Sequence, residues 1–174
     1  MEWFVMRDLT RPNALLPAWK RLGADGFEVF TPMVWKVMER GRKRSRVQTP
    51  LIHDLLFVHS DRDALDPKVA RIPTLQYRFL KGAGYCQPMT VDEKEMERFM
   101  LAVANDKSPR FYAPGEITDS MIGRKVRIVG GPLNGFTGNL LSVKGMRTKR
   151  LIISLSGMFS AAVEVENDFI EFIK

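Results

Sequence analysis

The sequence predicts an α+β protein built from an antiparallel sheet with helices packed on it, followed by a small β-barrel. In the first part of the chain, short apolar runs typical of strands alternate with segments that have a helical apolar period. Later the helical period does not return, and glycine-rich turns separate short strand-like runs. We therefore expect an N-terminal domain at residues 1–104, a linker at 105–116 and a barrel at 117–174.

The composition is that of a soluble globular protein. Of the 174 residues, 45% are hydrophobic and 27% are charged, and no run approaches the ~18 apolar residues of a membrane span. The N-terminus has no secretory pattern. One cysteine and two histidines offer too few groups for a disulfide or a cysteine-rich zinc site. We expect a cytoplasmic monomer without a metal, cofactor or membrane contact, and the net charge of +7 favours polyanionic partners.

Four segments define the beginning of the predicted sheet. Residues 3–7, 27–32 and 55–58 are apolar runs rich in strand-forming side chains. Residues 13–23 carry apolar side chains at the spacing of one helical face, and glycines end that pattern. The order of these segments along the chain, strand, helix and then further strands, therefore favours an antiparallel sheet with helices packed on it.

Two further helices are predicted from their N-terminal signals. Asp66 followed by Pro67 is typical of an N-cap and a first-turn proline. Thr90 and Glu93 have the spacing of a capping box. We assign the acidic residues there to capping and to a solvated helix face rather than to catalysis or metal binding. Between the two helices, Leu75, Tyr77 and Phe79 alternate with polar residues, which indicates a half-buried strand.

A basic segment lies between the apolar runs 34–38 and 47–52, and we interpret it as a long hairpin with a basic tip. Cations confined to one loop repel each other unless a polyanion binds, so we predict a nucleic-acid contact here. The alternative is a solvated loop. The predicted nucleic-acid-binding residues are Arg40, Arg42, Lys43, Arg44 and Arg46.

The last part of the chain contains short strand-like runs and one recognisable turn. Strands are predicted at residues 126–128, 136–143, 150–155, 161–165 and 169–173. A Gly-Pro-x-x-Gly-x-x-Gly pattern joins the first two and resembles the KOW motif of small barrels. We expect one glycine to take a left-handed backbone angle and another to permit close strand approach. The motif residues are Val126, Ile128, Gly131, Pro132, Gly135 and Gly138.

The whole chain resembles the NusG family in collinear order. The resemblance is carried by Trp3-Phe4-Val5, the basic hairpin, Leu55-Leu56-Phe57-Val58, the capped helix and the KOW motif. It implies a four-stranded ferredoxin-like N-terminal domain and an SH3-like barrel. Within the family, residues 31–33 and 41–44 resemble the UpxY antiterminators of capsular polysaccharide operons and the related RfaH proteins.

The resemblance also implies a function, which is transcription elongation and antitermination without enzymatic chemistry. The N-terminal domain would bind RNA polymerase through an apolar surface, suppress pausing or termination, and contact non-template DNA or nascent RNA. The barrel would recruit ribosomal protein S10 or Rho. The expected polymerase contacts are Trp3, Ile52, Leu55 and Phe57, for which plain core is the alternative.

Two questions stay open at the level of sequence. Met158 and Phe159 lie on a predicted barrel loop and are candidate partner contacts, although a buried Phe159 is equally consistent with the pattern. The rival function is an RNA-binding, ribosome-associated KOW protein. The acidic residues of the barrel argue against it, and no nucleophile placed by a motif supports an enzyme.

Overall fold

The structure is a computed structural model that describes residues 1–12, 14–41, 43–79, 87–155 and 158–173, with Arg40 described by its backbone alone. Contacts between residues divide the chain into two compact units, Met1–Asp92 and Glu93–Lys174. The mixed α+β class that the sequence predicts is confirmed.

The N-terminal unit contains a sheet with two helices packed on one of its faces, and a separate two-stranded hairpin. Its helices are α1 (Ala18–Ala24) and α2 (Arg62–Arg71). Its strands are β1 (Glu2–Asp8), β2 (Glu28–Phe30), β3 (Met33–Arg40), β4 (Lys43–Pro50), β5 (Leu55–Ser60), β6 (Leu75–Tyr77) and β7 (Thr90–Val91). The main sheet has the order β2-β5-β1-β6, and β7 also pairs with β1. The sheet therefore has one strand more than the four that the family resemblance implies.

One face of this sheet forms the core of the N-terminal unit. β1 and β5 are antiparallel, with Phe4 opposite Val58 and Met6 opposite Leu56. These side chains pack with apolar residues of both helices, which removes apolar surface from water and stabilises the unit. The buried members are Phe4, Met6, Ala18, Leu22, Leu56, Val58, Leu65, Ile72, Leu75 and Tyr77.

The start of α1 is set by a buried carboxylate rather than by an N-cap side chain. Pro17 occupies the N-cap position without a side-chain capping bond. Asp8, which is 2% exposed, accepts a hydrogen bond from the amide of Ala18 at 2.7 Å and from that of Thr10 at 3.0 Å. Leu15 precedes the helix and is 93% exposed. The predicted helix exists, but its first apolar position belongs to the loop before it.

The prediction that α2 begins at Asp66 is wrong. The helix begins at Arg62 with Asp61 at the N-cap position, so Pro67 lies inside it. Pro67 has no amide to donate to the carbonyl four residues earlier, which weakens the helix locally. Asp66 has another role, because its Oδ1 accepts a hydrogen bond from the Tyr77 hydroxyl at 2.7 Å. This bond connects α2 to β6.

In its described residues, the C-terminal unit combines one α-helix with a six-stranded antiparallel sheet. Its helix is α3 (Glu93–Ala104), and two short 3-10 turns occupy Asp119–Met121 and Asn167–Phe169. Its strands are β8 (Arg110–Tyr112), β9 (Ile122–Ile128), β10 (Thr137–Leu141), β11 (Arg150–Leu155), β12 (Phe159–Glu164) and β13 (Ile170–Phe172). Their order is β13-β9-β10-β11-β12-β8. The predicted strands are thus present, and β8 lies inside the segment expected to be a linker.

Helix α3 packs on β11 and β12 within the C-terminal unit. Phe99 and Phe159 meet edge to face with their centroids 5.0 Å apart, and both are almost completely buried. The predicted capping box is wrong, because Thr90 lies in β7 and Glu93 is the first residue of the helix rather than its third. Contacts group α3 with the C-terminal sheet, while the domain boundary at residue 104 stays a prediction.

The KOW turn between β9 and β10 has the two glycine features that the sequence predicts. Gly135 has a φ of 81°, a conformation that residues with a side chain rarely adopt. A Cβ atom on Gly138 would lie 2.9 Å from the carbonyl oxygen of Ile152, so only glycine lets β10 approach β11 this closely. Val126 and Ile128 point inward and are buried.

Candidate nucleic-acid interface

The basic segment forms the long hairpin that the sequence predicts, a two-stranded ribbon of β3 and β4. β3 and β4 pair with each other in a sheet of their own, in a continuous register from Met33 opposite Pro50 to Arg40 opposite Lys43. Because Arg40 pairs with Lys43, the turn between the two strands is tight. It begins at Gly41, which has a φ of 59°. The expectation that these cations sit in a loop is therefore wrong for Lys43, Arg44 and Arg46, because they lie in β4, where side chains alternate between two faces.

One face of the ribbon combines exposed apolar side chains with two arginines. Trp35, Val37 and Glu39 alternate along β3, and the register places Arg46 opposite Val37 and Arg44 opposite Glu39. Trp35 is 56% exposed and Val37 is 63% exposed. The opposite face carries Met38, which is 41% exposed, together with exposed lysines at positions 36 and 43.

The two arginines of the first face have different partners. Arg44 Nε donates to Glu39 Oε1 at 2.6 Å, and both side chains are well exposed, so this pair adds little stability. The Cζ of Arg46 lies 5.5 Å from the ring centroid of Trp35, which is within the range of a cation–π contact. Pairing with Glu39 partly offsets the charge of Arg44, whereas Arg46 keeps its full charge beside an exposed indole.

The hairpin dominates the charge distribution of the chain. Residues 33–50 contain six Lys or Arg residues and one Glu, a net charge of +5 within a total of +7. The described cation side chains on the ribbon are exposed. Arg40 is placed by its backbone in β3, and Arg42 lies outside the described residues. Such a concentration of positive charge attracts polyanions and raises their association rate.

The residues predicted to contact polymerase occupy a different surface. Strand alternation places Trp3, Leu55 and Phe57 on the sheet face opposite the helices, which we call the second sheet face. Their expected partial exposure is wrong, since they are 2%, 5% and 0% exposed. Ile52, in the turn before β5, is partly exposed. The role of all four as polymerase contacts stays a prediction.

Aromatic contacts order the second sheet face within the N-terminal unit. The rings of Trp3 and His59 stack, with centroids 4.9 Å apart and an interplanar angle of 12°. Phe30 and Phe57 meet at 6.1 Å. His59 Nδ1 lies 2.9 Å from a carboxylate oxygen of Glu28. These contacts hold Trp3 and Phe57 in fixed orientations.

Of the two candidate partner residues of the C-terminal unit, one is buried and lies at the start of β12. Phe159 is 2% exposed and contacts Phe99 and Phe111. Met158 is partly exposed, and residues 156 and 157 lie outside the described residues. Of the two alternatives for Phe159, the structure shows the buried one.

Sequence reasoning missed the apolar residues of the ribbon. Trp35 and Val37 were included in an apolar run flanking the tip, and such a run is ordinarily half buried. The available signal was the alternation of these residues with Lys36, combined with cations at positions 43, 44 and 46 of the returning strand. This pattern indicates a ribbon with two solvated faces, because neither face is uniformly apolar.

The described residues were compared with two further kinds of site, a metal centre and a membrane-spanning helix. Within them, no three His, Cys, Asp or Glu side chains are arranged to hold a metal ion. No helix of the described chain is long and apolar enough to cross a bilayer.

These features define a two-unit protein with a basic ribbon on an α+β unit and a KOW turn in a sheet-rich unit. Residues 1–100 match the family model described as "Transcription termination factor nusG". This match covers more than half of the chain, and the chain belongs to the NusG family. Membership implies a non-enzymatic transcription termination or antitermination factor.

Two individual proteins resemble the whole chain. The transcription termination/antitermination protein NusG of Treponema pallidum (strain Nichols) is 24% identical over 180 residues, covering 95% of each chain. A solved structure described as "Domain interaction in Thermotoga maritima NusG" is 18% identical, with a TM-score of 0.48, and the match covers 99% of this chain and 97% of that one.

Proposed function

We propose that this chain binds RNA polymerase through its N-terminal unit and suppresses pausing or termination during transcript elongation. The observation that carries the proposal is the basic ribbon on a NusG-family chain, because it gives the factor a surface for the nucleic acid of a transcribing complex. The protein performs this function by binding alone. We place it in the cytoplasm as a monomer, and capsular polysaccharide operons are the proposed targets.

The ribbon is the proposed nucleic-acid contact. Two paired strands hold Lys43, Arg44 and Arg46 at fixed spacings, so less side-chain and backbone freedom is lost on binding than in a flexible loop. Each phosphate that a cation neutralises releases condensed counterions, and binding weakens as salt rises. Non-template DNA or nascent RNA supplies such phosphates beside a transcribing polymerase.

The proposed polymerase contact uses Ile52 and the second sheet face. Ile52 is partly exposed, and it lies three residues before Leu55, the first residue of β5. A contact through Trp3, Leu55 and Phe57 requires these side chains to become accessible, because they are buried. Their apolar character suits a protein partner, since exposed apolar clusters mark association sites.

The C-terminal unit is the proposed site for a second protein, with ribosomal protein S10 or Rho as candidates. Met158 is the partly exposed residue of the predicted partner loop. Phe159 is a core residue of this unit, because its ring is buried against that of Phe99. The proposed recruitment through this loop therefore rests on Met158 rather than on Phe159.

The experiment that tests this proposal is capture of the cognate core RNA polymerase by the full chain. We expect polymerase to be retained, and we expect Ile52→Asp to reduce retention, with exposed Lys20→Ala as the control. The rival function is an RNA-binding, ribosome-associated KOW protein. Capture of ribosomal RNA without polymerase would overturn the proposal in favour of that rival.

A further inference from the structure

We propose that the ribbon binds an unpaired nucleic-acid strand, with a base stacked on Trp35 and a neighbouring phosphate held by Arg46. This inference rests on the proposed nucleic-acid contact of the hairpin and deepens it. It names the form of nucleic acid that binds and the residue that selects it.

The exposure of Trp35 is the first observation. This indole is 56% exposed although Arg46 lies over it, and Val37 beside it on the same face is 63% exposed. Exposing large apolar side chains is unfavourable in water, by roughly 25 cal/mol for each Å² that burial would remove. The exposed ring of Trp35 is therefore accessible to a partner that has a flat apolar surface.

The charge around Trp35 decides which partner fits. Residues 33–50 hold +5 of the chain's net +7, so a partner must be strongly anionic as well as flat and apolar. Nucleic acid meets both requirements, because its phosphates are anionic and its bases have π faces. Arg46 serves both needs at one position, since a guanidinium stacks on an aromatic ring and also pairs with phosphate.

The stacking requirement selects an unpaired strand over a duplex. In a double helix, the faces of the bases are covered by their neighbours, and only edges and phosphates can be reached. A single strand can place a base on an exposed aromatic ring, and such stacking is largely independent of sequence. Duplex binding to the ribbon would use the cations alone and would not depend on Trp35.

The test uses the full chain and a short single-stranded oligodeoxynucleotide, with the same sequence as a duplex for comparison. Trp35→Ala should weaken single-strand binding roughly five- to 150-fold, which corresponds to one stacked base. Its salt dependence should be unchanged, because no phosphate contact is lost. Trp35→Phe should keep most of the affinity, and Val37→Ala, on the same face, is the matched control.

A second pair of measurements separates stacking from charge. Arg44→Gln combined with Arg46→Gln, on the same face as Trp35, should weaken single-strand and duplex binding alike and reduce the salt slope by about 0.7 per lost contact for the single strand. The oligonucleotide should quench tryptophan fluorescence of the native protein, and Trp35→Phe should remove most of that quenching. Thermal unfolding of each variant verifies that the fold is retained.

The outcomes distinguish the two proposals. If Trp35→Ala binds the single strand as the native protein does while the double arginine variant does not, stacking is refuted and the nucleic-acid contact stands. If the native chain binds neither oligonucleotide at low salt, both proposals fail. If Trp35→Ala loses polymerase capture but keeps oligonucleotide binding, the indole contacts a protein and the stacking inference is overturned.

Discussion

The side chain of Arg150 donates a hydrogen bond to Asp106 across 3.1 Å, and each of the two side chains is only 6% exposed. Arg150 also donates to the carbonyl oxygens of Ser108 and Ala162. Asp106 in turn accepts from the backbone amide of Glu164 at 2.8 Å. This buried network fastens the segment after α3 to β11 and β12, within a stretch that the sequence marks as a linker.

Removing either partner of this pair should destabilise the C-terminal unit. We expect Arg150→Ala or Asp106→Ala to lower the free energy of unfolding by roughly 3–5 kcal/mol, because a buried charge would remain without its partner. Urea denaturation of the full chain measures the change. Glu164→Gln is the matched control, since its carboxylate is half exposed and lies 3.4 Å from Arg150. A loss of under 1 kcal/mol for Asp106→Ala would contradict this role.

Two glycine substitutions should change stability in opposite directions. Gly138→Ala places a Cβ atom 2.9 Å from the backbone of Ile152, so β10 must shift, and we expect a loss of about 1–3 kcal/mol. Gly23, inside α1, has no heavy atom within 4 Å of the position its Cβ would take. Gly23→Ala should stabilise the helix by up to about 1 kcal/mol. Thermal unfolding of both variants checks the prediction, and equal shifts would contradict it.

The titration of the Tyr77 hydroxyl should lower the free energy of unfolding at alkaline pH. Burial, followed by the hydrogen bond and the charge of Asp66, raises the pKa of the Tyr77 hydroxyl above its usual value of 10.0. The unfolded chain therefore loses this proton near pH 10 while the folded chain retains it, so the folded state is progressively disfavoured above that pH.

The comparison with Tyr77→Phe isolates this titration from the other groups. At neutral pH the variant should lose about 0.5–1.5 kcal/mol, because the bond to Asp66 is gone. The difference between native protein and variant should shrink as pH rises above 10. Denaturant unfolding at neutral and alkaline pH measures both values, and a difference independent of pH would rule out the assignment.

The carboxylate of Asp8 should be required for the position of α1. Its two oxygens accept bonds from Thr10 and Ala18, and an amide offers a single oxygen, so Asp8→Asn loses one charge-assisted bond. We expect a cost of about 1.5–3 kcal/mol in the free energy of unfolding. Chemical denaturation is the measurement. Asp25→Asn, at a more exposed carboxylate after the same helix, is the control and should change stability little.

The sequence predicted most of the strands because their apolar periods agree with the burial that the fold requires. The KOW turn was equally predictable from its glycine pattern, since Gly135 takes a positive φ and Gly138 lies where β10 approaches β11 closely. The start of α2 was not predictable from Asp66 and Pro67, because Asp66 bonds to Tyr77, which lies eleven residues further along the chain.

The positive charge of the candidate interface could be predicted from the sequence, but the extent of its strands could not. The cluster of cations is visible in the sequence, yet the pairing of Arg40 with Lys43 extends the strands into it and sets which side chains share a face. The burial of Trp3 and Phe57 was also beyond the sequence, because alternation places them on one face without saying whether that face is covered. Long-range packing decides both properties.

The most direct test of the account is in vitro transcription by the cognate polymerase through a pause site, with the native chain and with Lys43→Glu. The account predicts that the native protein shortens the pause and that the charge reversal on the ribbon removes most of this effect at moderate salt. A native protein that leaves pausing and termination unchanged while binding the polymerase would contradict the proposed function. A fully active Lys43→Glu variant would contradict the role of the ribbon.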